Sequence, residues 1–176
     1  MSHNTEWLFV VLVVVQANWA IKIKFTNLQC DEYDKPFANF EKCRLKAIDR
    51  HRVALNVTVA LHQIPVNNVS LNVQLLKKGN GYRPFMYNNT MDFCQFLKTP
   101  SRYMFWKIVF LRMVRPASNI NHTCPFDHNI IVQNLILDSS MLDLIPFPAD
   151  DYMMRFKVGA YNHYKAEVRA FIQIYN

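Results

Sequence analysis

Two histidines, a cysteine and an aspartate lie within eight residues, in the segment Asn121–His128, which reads NHTCPFDH. Zn²⁺ prefers imidazole and thiolate ligands, so His122, Cys124 and His128 would supply three ligands of a zinc site beside Asp127. A cysteine near histidine is also the pairing of a Cys/His nucleophile. A third interpretation makes Cys124 a half-cystine beside a glycosylation sequon. The compartment of the protein decides between the three.

An apolar run near the N-terminus indicates export. Trp7–Val15 is uninterrupted by polar residues and is followed by small residues, which is typical of the hydrophobic region and cleavage site of a secretory signal. The run is too short to cross a bilayer, which takes about 20 helical residues. Its alternative interpretation is a buried Val-rich strand, since no Lys or Arg precedes it. We predict a signal peptide at residues 1–20, cleaved after Ala17 or Ala20, and a secreted, extracellular protein.

Four cysteines follow this signal, and an even number in an exported chain is typical of a disulfide framework with three possible pairings. We favour Cys30–Cys43, which closes a short excursion between two strands, and Cys94–Cys124, which ties a helical segment to the next strand. A disulfide removes the thiolate that a zinc site or a nucleophile at Cys124 would need. We therefore predict no metal site and no catalytic residue.

Four Asn-x-Ser/Thr sequons also follow the signal, and we predict glycosylation at Asn56, Asn68, Asn88 and Asn121. Asn56 lies in a segment whose apolar residues alternate with polar ones, so it is expected on the exposed side of a strand.

The chain is basic, with 20 Lys plus Arg against 13 Asp plus Glu and a net charge of +7. This balance favours anionic partners, but the bases are dispersed, so we predict no nucleic-acid partner. The three glycines form no phosphate-binding loop, and no Gly-x-Ser-x-Gly motif occurs. The sequence thus predicts a protein that is not an enzyme and binds no cofactor.

Period-two alternation of apolar and polar residues predicts about eight short strands and a mainly β fold. The spacing favours a two-sheet antiparallel β-sandwich, as a single domain over residues 21–176. The predicted strands are Val53–Leu61, Val69–Leu75, Tyr152–Val158, Ala166–Ile174, Ile23–Cys30, Glu41–Ile48, Tyr82–Tyr87 and Asn129–Leu135.

A short helical insertion is predicted around residues 92–115, where the aromatic-rich sequence lacks alternation. We expect helices at Asp92–Leu97 and Ser101–Val114, with Asp92 and Ser101 as N-caps and Pro116 as the stop. Apolar residues surround nearly the whole second helix, so it must be buried on most sides or face something apolar.

Several fragments together resemble a large insect family of secreted proteins with a domain of unknown function, to which the chemosensory B proteins belong. The fragments are Phe25–Cys30 (FTNLQC), Cys43–Ala47 (CRLKA), Tyr82–Tyr87 (YRPFMY), Asp92–Cys94 (DFC), Asn121–Phe126 (NHTCPF) and Pro146–Pro148 (PFP) followed by Asp151-Tyr152. That family is in turn similar to the ML lipid-recognition superfamily. The resemblance implies an immunoglobulin-like sandwich with an apolar cavity between its sheets, and a role in chemosensory or pheromone detection.

Bulky apolar residues exceed what a small sandwich needs, with thirteen Phe, eight Tyr and eight Met. We predict that they line a ligand cavity. The candidates are Phe85, Tyr87, Phe93, Phe96, Tyr103, Trp106, Phe110, Met113, Met154, Phe156 and Phe171. Arg83, Arg102 or Lys107 would meet an anionic headgroup at its mouth.

The leading hypothesis is therefore a secreted, monomeric binder of a lipid, hydrocarbon or pheromone-like ligand, with a membrane receptor as a further partner. The alternative is an extracellular protein-interaction module with a filled core and no ligand.

Overall fold

Eight antiparallel strands form two sheets in this computed structural model, which describes residues 21–144 and 147–176. The predicted signal peptide lies outside the described residues. The strands are β1 (Lys22–Glu32), β2 (Ala38–Ala47), β3 (Val53–Leu61), β4 (Val69–Gly79), β5 (Gly81–Asp92), β6 (Ile130–Ile136), β7 (Asp150–Ala160) and β8 (His163–Tyr175). One sheet has the order β1-β8-β7-β4-β5 and the other has the order β2-β3-β6. The predicted two-sheet antiparallel sandwich is confirmed.

Alternation explains why these segments are strands, because each strand of the sandwich buries one face between the sheets. On β8, alternate residues from Ala166 to Ile174 face the core, and β7 contributes Tyr152 and Met154 to it. Tyr161 and Asn162, both with positive φ, form the tight turn between β7 and β8, as a two-residue hairpin requires.

Two disulfides fasten the sandwich. Cys30 of β1 is bonded to Cys43 of β2, so this disulfide joins the edges of the two sheets. Cys94 is bonded to Cys124, which ties the helical insertion to the loop before β6. The structure thus contains the pairing that the loop lengths favoured.

Two short helices, α1 (Phe93–Lys98) and α2 (Met104–Val109), form the insertion. Asp92 caps α1, and its carboxylate accepts a hydrogen bond from the Gln95 N–H at 2.8 Å. The other predicted cap, Ser101, is wrong: it lies in a 3₁₀ turn, Pro100–Arg102.

The end of the second helix also differs from the prediction. After α2 the chain continues as a π turn, Phe110–Val114, and then as a 3₁₀ turn, Arg115–Ala117. Pro116 therefore lies inside this 3₁₀ turn and does not follow the helical segment. Proline is tolerated there because the first residues of a helical turn donate no intrahelical hydrogen bond through their N–H groups.

Asn56 corrects a second prediction. It lies on the face of β3 opposite the cavity-lining Leu55 and Val57, as the alternation predicts, but it is buried there and only 6% exposed. The pairing of β3 with β6 shifts register here, and Asn134 has positive φ opposite the shift. The Asn56 Oδ1 accepts a hydrogen bond from the Asn134 N–H at 3.1 Å. A buried polar side chain thus satisfies a backbone group that the bulge removes from the ladder.

The outer face of the five-stranded sheet carries a buried carboxylate, Glu167, which is 1% exposed. It accepts hydrogen bonds from the Tyr33 hydroxyl at 2.6 Å and from Arg155 Nε at 2.8 Å. Burial by itself raises the pKa of Glu167, but the bonds from Arg155 and Tyr33 outweigh it and the pKa is lowered. Through Glu167 of β8, these hydrogen bonds connect Tyr33 in the β1–β2 loop with Arg155 of β7.

Candidate functional site

A cavity of about 310 Å³ lies between the two sheets and beneath the helical insertion. Its volume falls at the lower end of the range of small-molecule pockets, roughly 300–1,000 Å³. Both sheets, both helices and the loop before β6 contribute to its wall. The candidate site therefore lies between the two sheets.

One end of the cavity is aromatic. Phe93 and Phe96 of α1 pack against Phe110 with ring centroids 6.1 and 5.5 Å apart, both edge to face. Phe126, from the loop before β6, stacks on Phe93 at 6.5 Å. Trp106 of α2 also lines this end. These ring contacts hold the aromatic side chains in place at this end of the cavity.

The opposite end of the cavity belongs to the strands, where aliphatic side chains line it together with Phe25 and Phe40. Leu55 and Val57 of β3 face Ala170 of β8 across the gap. Alanine at this place leaves volume that a larger side chain would fill. The space therefore arises from small residues on the inner face of β8, with Ala166 repeating the pattern.

Among the described lining residues, Lys165 alone has an ionisable side chain. Its Nζ lies 2.6 Å from Asp34 Oδ2 and 4.7 Å from the centre of the Phe37 ring. The hydrogen bond from Lys165 lowers the pKa of Asp34. The ammonium is thus paired at the cavity margin, and the remaining wall is apolar.

Seven of the eleven predicted residues line the cavity. They are Phe93, Phe96, Trp106, Phe110, Met113, Met154 and Phe156. The structure thus brings together the residues predicted from the helical insertion and from β7.

The other four predicted residues are not in the lining. Tyr87 lies behind Trp106 and accepts a hydrogen bond from its indole N–H. Tyr103 likewise packs behind Phe96, with ring centroids 5.9 Å apart. Both residues therefore support the wall without forming it.

Phe85 and Phe171 lie farther away. Phe85 packs on Tyr152, with ring centroids 5.8 Å apart. Phe171 contacts Tyr82 on the outer face of the five-stranded sheet. The alternation of β8 already places Phe171 opposite Ala170, so its selection as a lining residue was wrong.

Composition alone missed most of the strand residues in the wall. Most of the missed residues are small or aliphatic and four are phenylalanines, and the inward position of those on strands follows from the strand alternation. The additional lining residues include Phe25, Phe37, Phe40, Leu55, Val57, Val59, Val73, Met91, Ile120, Phe126, Val132, Leu137, Ala160, Ala166, Val168 and Ala170.

The basic residues predicted at the mouth are not part of the described cavity wall. Arg83 and Arg102 are exposed, and Lys107 is half-buried. None of the three is a lining residue. Lys165 is instead the cation nearest to the cavity.

The segment Asn121–His128 holds no three-ligand zinc site. Cys124 is bonded to Cys94, so it offers no thiolate to a metal or a substrate. In the described part of the chain, no group of three or more His, Cys, Asp and Glu residues could hold a metal ion. Phe126, between the two histidines, instead contributes an aromatic ring to the cavity.

The four sequons differ in exposure. Asn68, Asn88 and Asn121 are exposed, whereas Asn56 is buried. Asn88 accepts a hydrogen bond through its Oδ1 from Asn72 Nδ2 at 3.2 Å, which leaves its own Nδ2 directed elsewhere. Glycosylation at the three exposed positions stays a prediction.

No helix within residues 21–144 and 147–176 is both long enough and apolar enough to cross a membrane.

Comparisons with known proteins include a family match and a distant structural similarity. The model of a family described as "Protein of unknown function (DUF1091)" matches residues 71–154, slightly less than half of the chain. The crystal structure of a Niemann-Pick type C2 protein from Japanese carpenter ant is similar at 16% identity and a TM-score of 0.34, over 87% of this chain and 92% of that chain. No curated protein matches the chain.

The family match includes four of the six fragments on which the resemblance to the insect family rests, namely Tyr82–Tyr87, Asp92–Cys94, Asn121–Phe126 and Pro146–Pro148 with Asp151-Tyr152. The more specific likeness to the chemosensory B proteins stays a prediction.

Proposed function

We propose that this protein is a secreted, non-enzymatic binder that holds a hydrophobic small molecule between its two sheets. The observation that carries the proposal is the apolar cavity of about 310 Å³. Water gains little in such a space because it finds no hydrogen-bond partners there, whereas an apolar molecule gains the free energy of leaving water. A lipid or hydrocarbon chain is the class of ligand that fits this wall.

The polar end of an amphiphilic ligand would lie at Lys165, the ionisable residue in the wall. Lys165 is already paired with Asp34, so a headgroup must share the ammonium or replace the carboxylate. A ligand without a charged group therefore suits the site best.

Two disulfides support the assignment to an oxidising, extracellular compartment. The chemosensory role and the membrane receptor rest on the resemblance to the insect family. The protein is proposed to act as a monomer.

Native mass spectrometry of the secreted, deglycosylated protein tests the proposal. We expect one apolar molecule per chain, which organic extraction removes and which the extract identifies. A ligand-free mass that is unchanged after incubation with mixed lipids and hydrocarbons would contradict the proposal. That result would favour the alternative function, an interaction module without a ligand.

A homologous series of linear ligands adds a quantitative test. Each additional CH₂ buried in the cavity contributes about 0.8 kcal/mol, so affinity should rise about fourfold per carbon. The rise should stop once the chain fills the cavity. Affinity that does not depend on chain length would show that the ligand binds elsewhere.

A further inference from the structure

The imidazoles of His122 and His128 face each other at the surface, beside the cavity. Their Nε2 atoms are 2.8 Å apart, and their ring planes meet at 73°. His122 is exposed and His128 is half-buried. Two contacts hold the chain between the histidines in place. Cys124 is bonded to Cys94, and the backbone of Phe126 exchanges two hydrogen bonds with the backbone of Val66. The two rings thus converge on one point from a loop fixed at its centre.

The Nδ1 atom of each ring has a backbone carbonyl within hydrogen-bond distance. His122 Nδ1 lies 2.6 Å from the Thr123 oxygen, and His128 Nδ1 lies 2.8 Å from the Asn129 oxygen. When both Nδ1–H groups donate to these carbonyls, both Nε2 atoms present lone pairs to the same point. A carbonyl acceptor on the second nitrogen is the usual partner of a metal-binding histidine.

The same pair is also satisfied without a metal. The Asn119 Nδ2 lies 3.1 Å from His128 Nδ1 and donates to it in the other tautomer. His128 Nε2–H then donates to His122 Nε2. Both tautomers of His128 thus have partners, so when a metal ion binds Nε2 the proton of that nitrogen moves to Nδ1, which donates to the Asn129 carbonyl.

We propose that His122 and His128 form a binding site for a late divalent transition-metal ion, with Cu²⁺ held most tightly. With metal–nitrogen bonds of about 2.0 Å, two ligands at 90° lie about 2.8 Å apart, the spacing found here. That angle belongs to square-planar and tetragonal sites, which Cu²⁺ and Ni²⁺ prefer, whereas tetrahedral Zn²⁺ needs a wider separation. Water completes the coordination. This two-nitrogen site differs from the zinc site excluded above, because it does not use Cys124.

Isothermal titration of Cu²⁺ into the disulfide-bonded protein, carrying no polyhistidine tag, tests the site. We expect one Cu²⁺ per chain in the wild type. His122→Gln and His128→Gln should each weaken binding about tenfold or more, since loss of a hydrogen-bond partner of a metal ligand already has an effect of that size. His163→Gln, a change at an exposed histidine at the start of β8, is the matched control and should bind like the wild type. Equal affinity in all four proteins would overturn the proposal.

A measurement on the wild type keeps the test independent of how the variants fold. Paramagnetic Cu²⁺ broadens nearby amide NMR signals, and the broadening should be confined to residues 119–129 and their spatial neighbours. Broadening centred elsewhere, or no saturable binding, would refute the site. Since neither measurement needs an apolar ligand, failure here leaves the cavity proposal untouched.

Discussion

Replacing Ala170 by leucine tests whether the space between the sheets is available volume. Ala170 is buried on the inner face of β8 and lines the cavity. Leucine adds three carbons, which gain about 2.4 kcal/mol if buried without strain, at about 0.8 kcal/mol per carbon. Ordering the leucine side chain costs about 0.5–1 kcal/mol. We therefore expect the ligand-free protein to gain about 1–2 kcal/mol in free energy of unfolding.

Urea denaturation of the extracted, ligand-free protein measures this change. Ala54→Leu is the matched control, since Ala54 is fully buried on β3 but does not line the cavity. Overpacking there should lower the free energy of unfolding by about 1–3 kcal/mol. The leucine at position 170 should also reduce affinity for an apolar ligand, because it occupies the same volume. If Ala170→Leu is destabilised as much as Ala54→Leu, the interior is filled and the reasoning is refuted.

Three further predictions concern features outside the cavity. Because the pKa of Glu167 is lowered on folding, its stabilisation is present above pH 5 and is lost as pH falls below its unfolded value of about 4.5. Glu167→Gln should lower the free energy of unfolding at pH 7 by about 2 kcal/mol, since Arg155 loses its charged partner, and should flatten the acid limb of a pH–stability curve; an unchanged limb would contradict this. Glycopeptide mapping of the folded protein should find Asn56 unmodified, since its amide is buried and hydrogen-bonded, and full occupancy there would contradict the fold of β3. Replacing Cys94 and Cys124 by alanine opens a loop with a sequence separation of 30, so thermal or urea unfolding should show a loss of about 3–4 kcal/mol; a loss below about 1 kcal/mol would exclude the loop-entropy explanation.

The strands were predictable from the sequence because each one buries a single face. Val53–Leu61 has the bounds predicted for it, and all eight predicted segments overlap an observed strand. The predicted exposure of Asn56 was wrong, because a bulge in the pairing of β3 with β6 leaves the Asn134 N–H to be satisfied by the Asn56 side chain. Asn56 stands where the alternation predicts a polar residue, so nothing in the sequence indicates that its side chain binds the backbone at a bulge.

The helical insertion was predictable in place but not in detail. Asp92 is followed by a helix as its capping role predicts. The second helix starts at Met104, after a break that lets Tyr103 pack on Phe96. This break depends on tertiary contacts with β5 and α1, which helix propensity and capping signals do not contain.

The cavity wall was predictable in part. The aromatic residues of the insertion were found because they are too many for a small core, whereas the strand residues of the wall are ordinary in type. These strand residues line a cavity because the side chains of the two sheets do not fill the space between them. Ala166 and Ala170 leave part of that space open because their side chains are small. The distance between facing residues of the two sheets depends on residues far apart in the chain, so local sequence patterns do not predict it.

Quenching of Trp106 fluorescence by a brominated apolar ligand tests the central claim most directly. Trp106 lines the cavity and is the single tryptophan of residues 21–176, since the other two are Trp7 and Trp19. Bromine quenches tryptophan emission only at close contact. We predict saturable quenching by a brominated hydrocarbon chain, reversed by the unbrominated chain and weakened by Ala170→Leu. Binding that leaves Trp106 emission unchanged, or quenching that the leucine variant shows undiminished, would contradict a ligand held between the sheets.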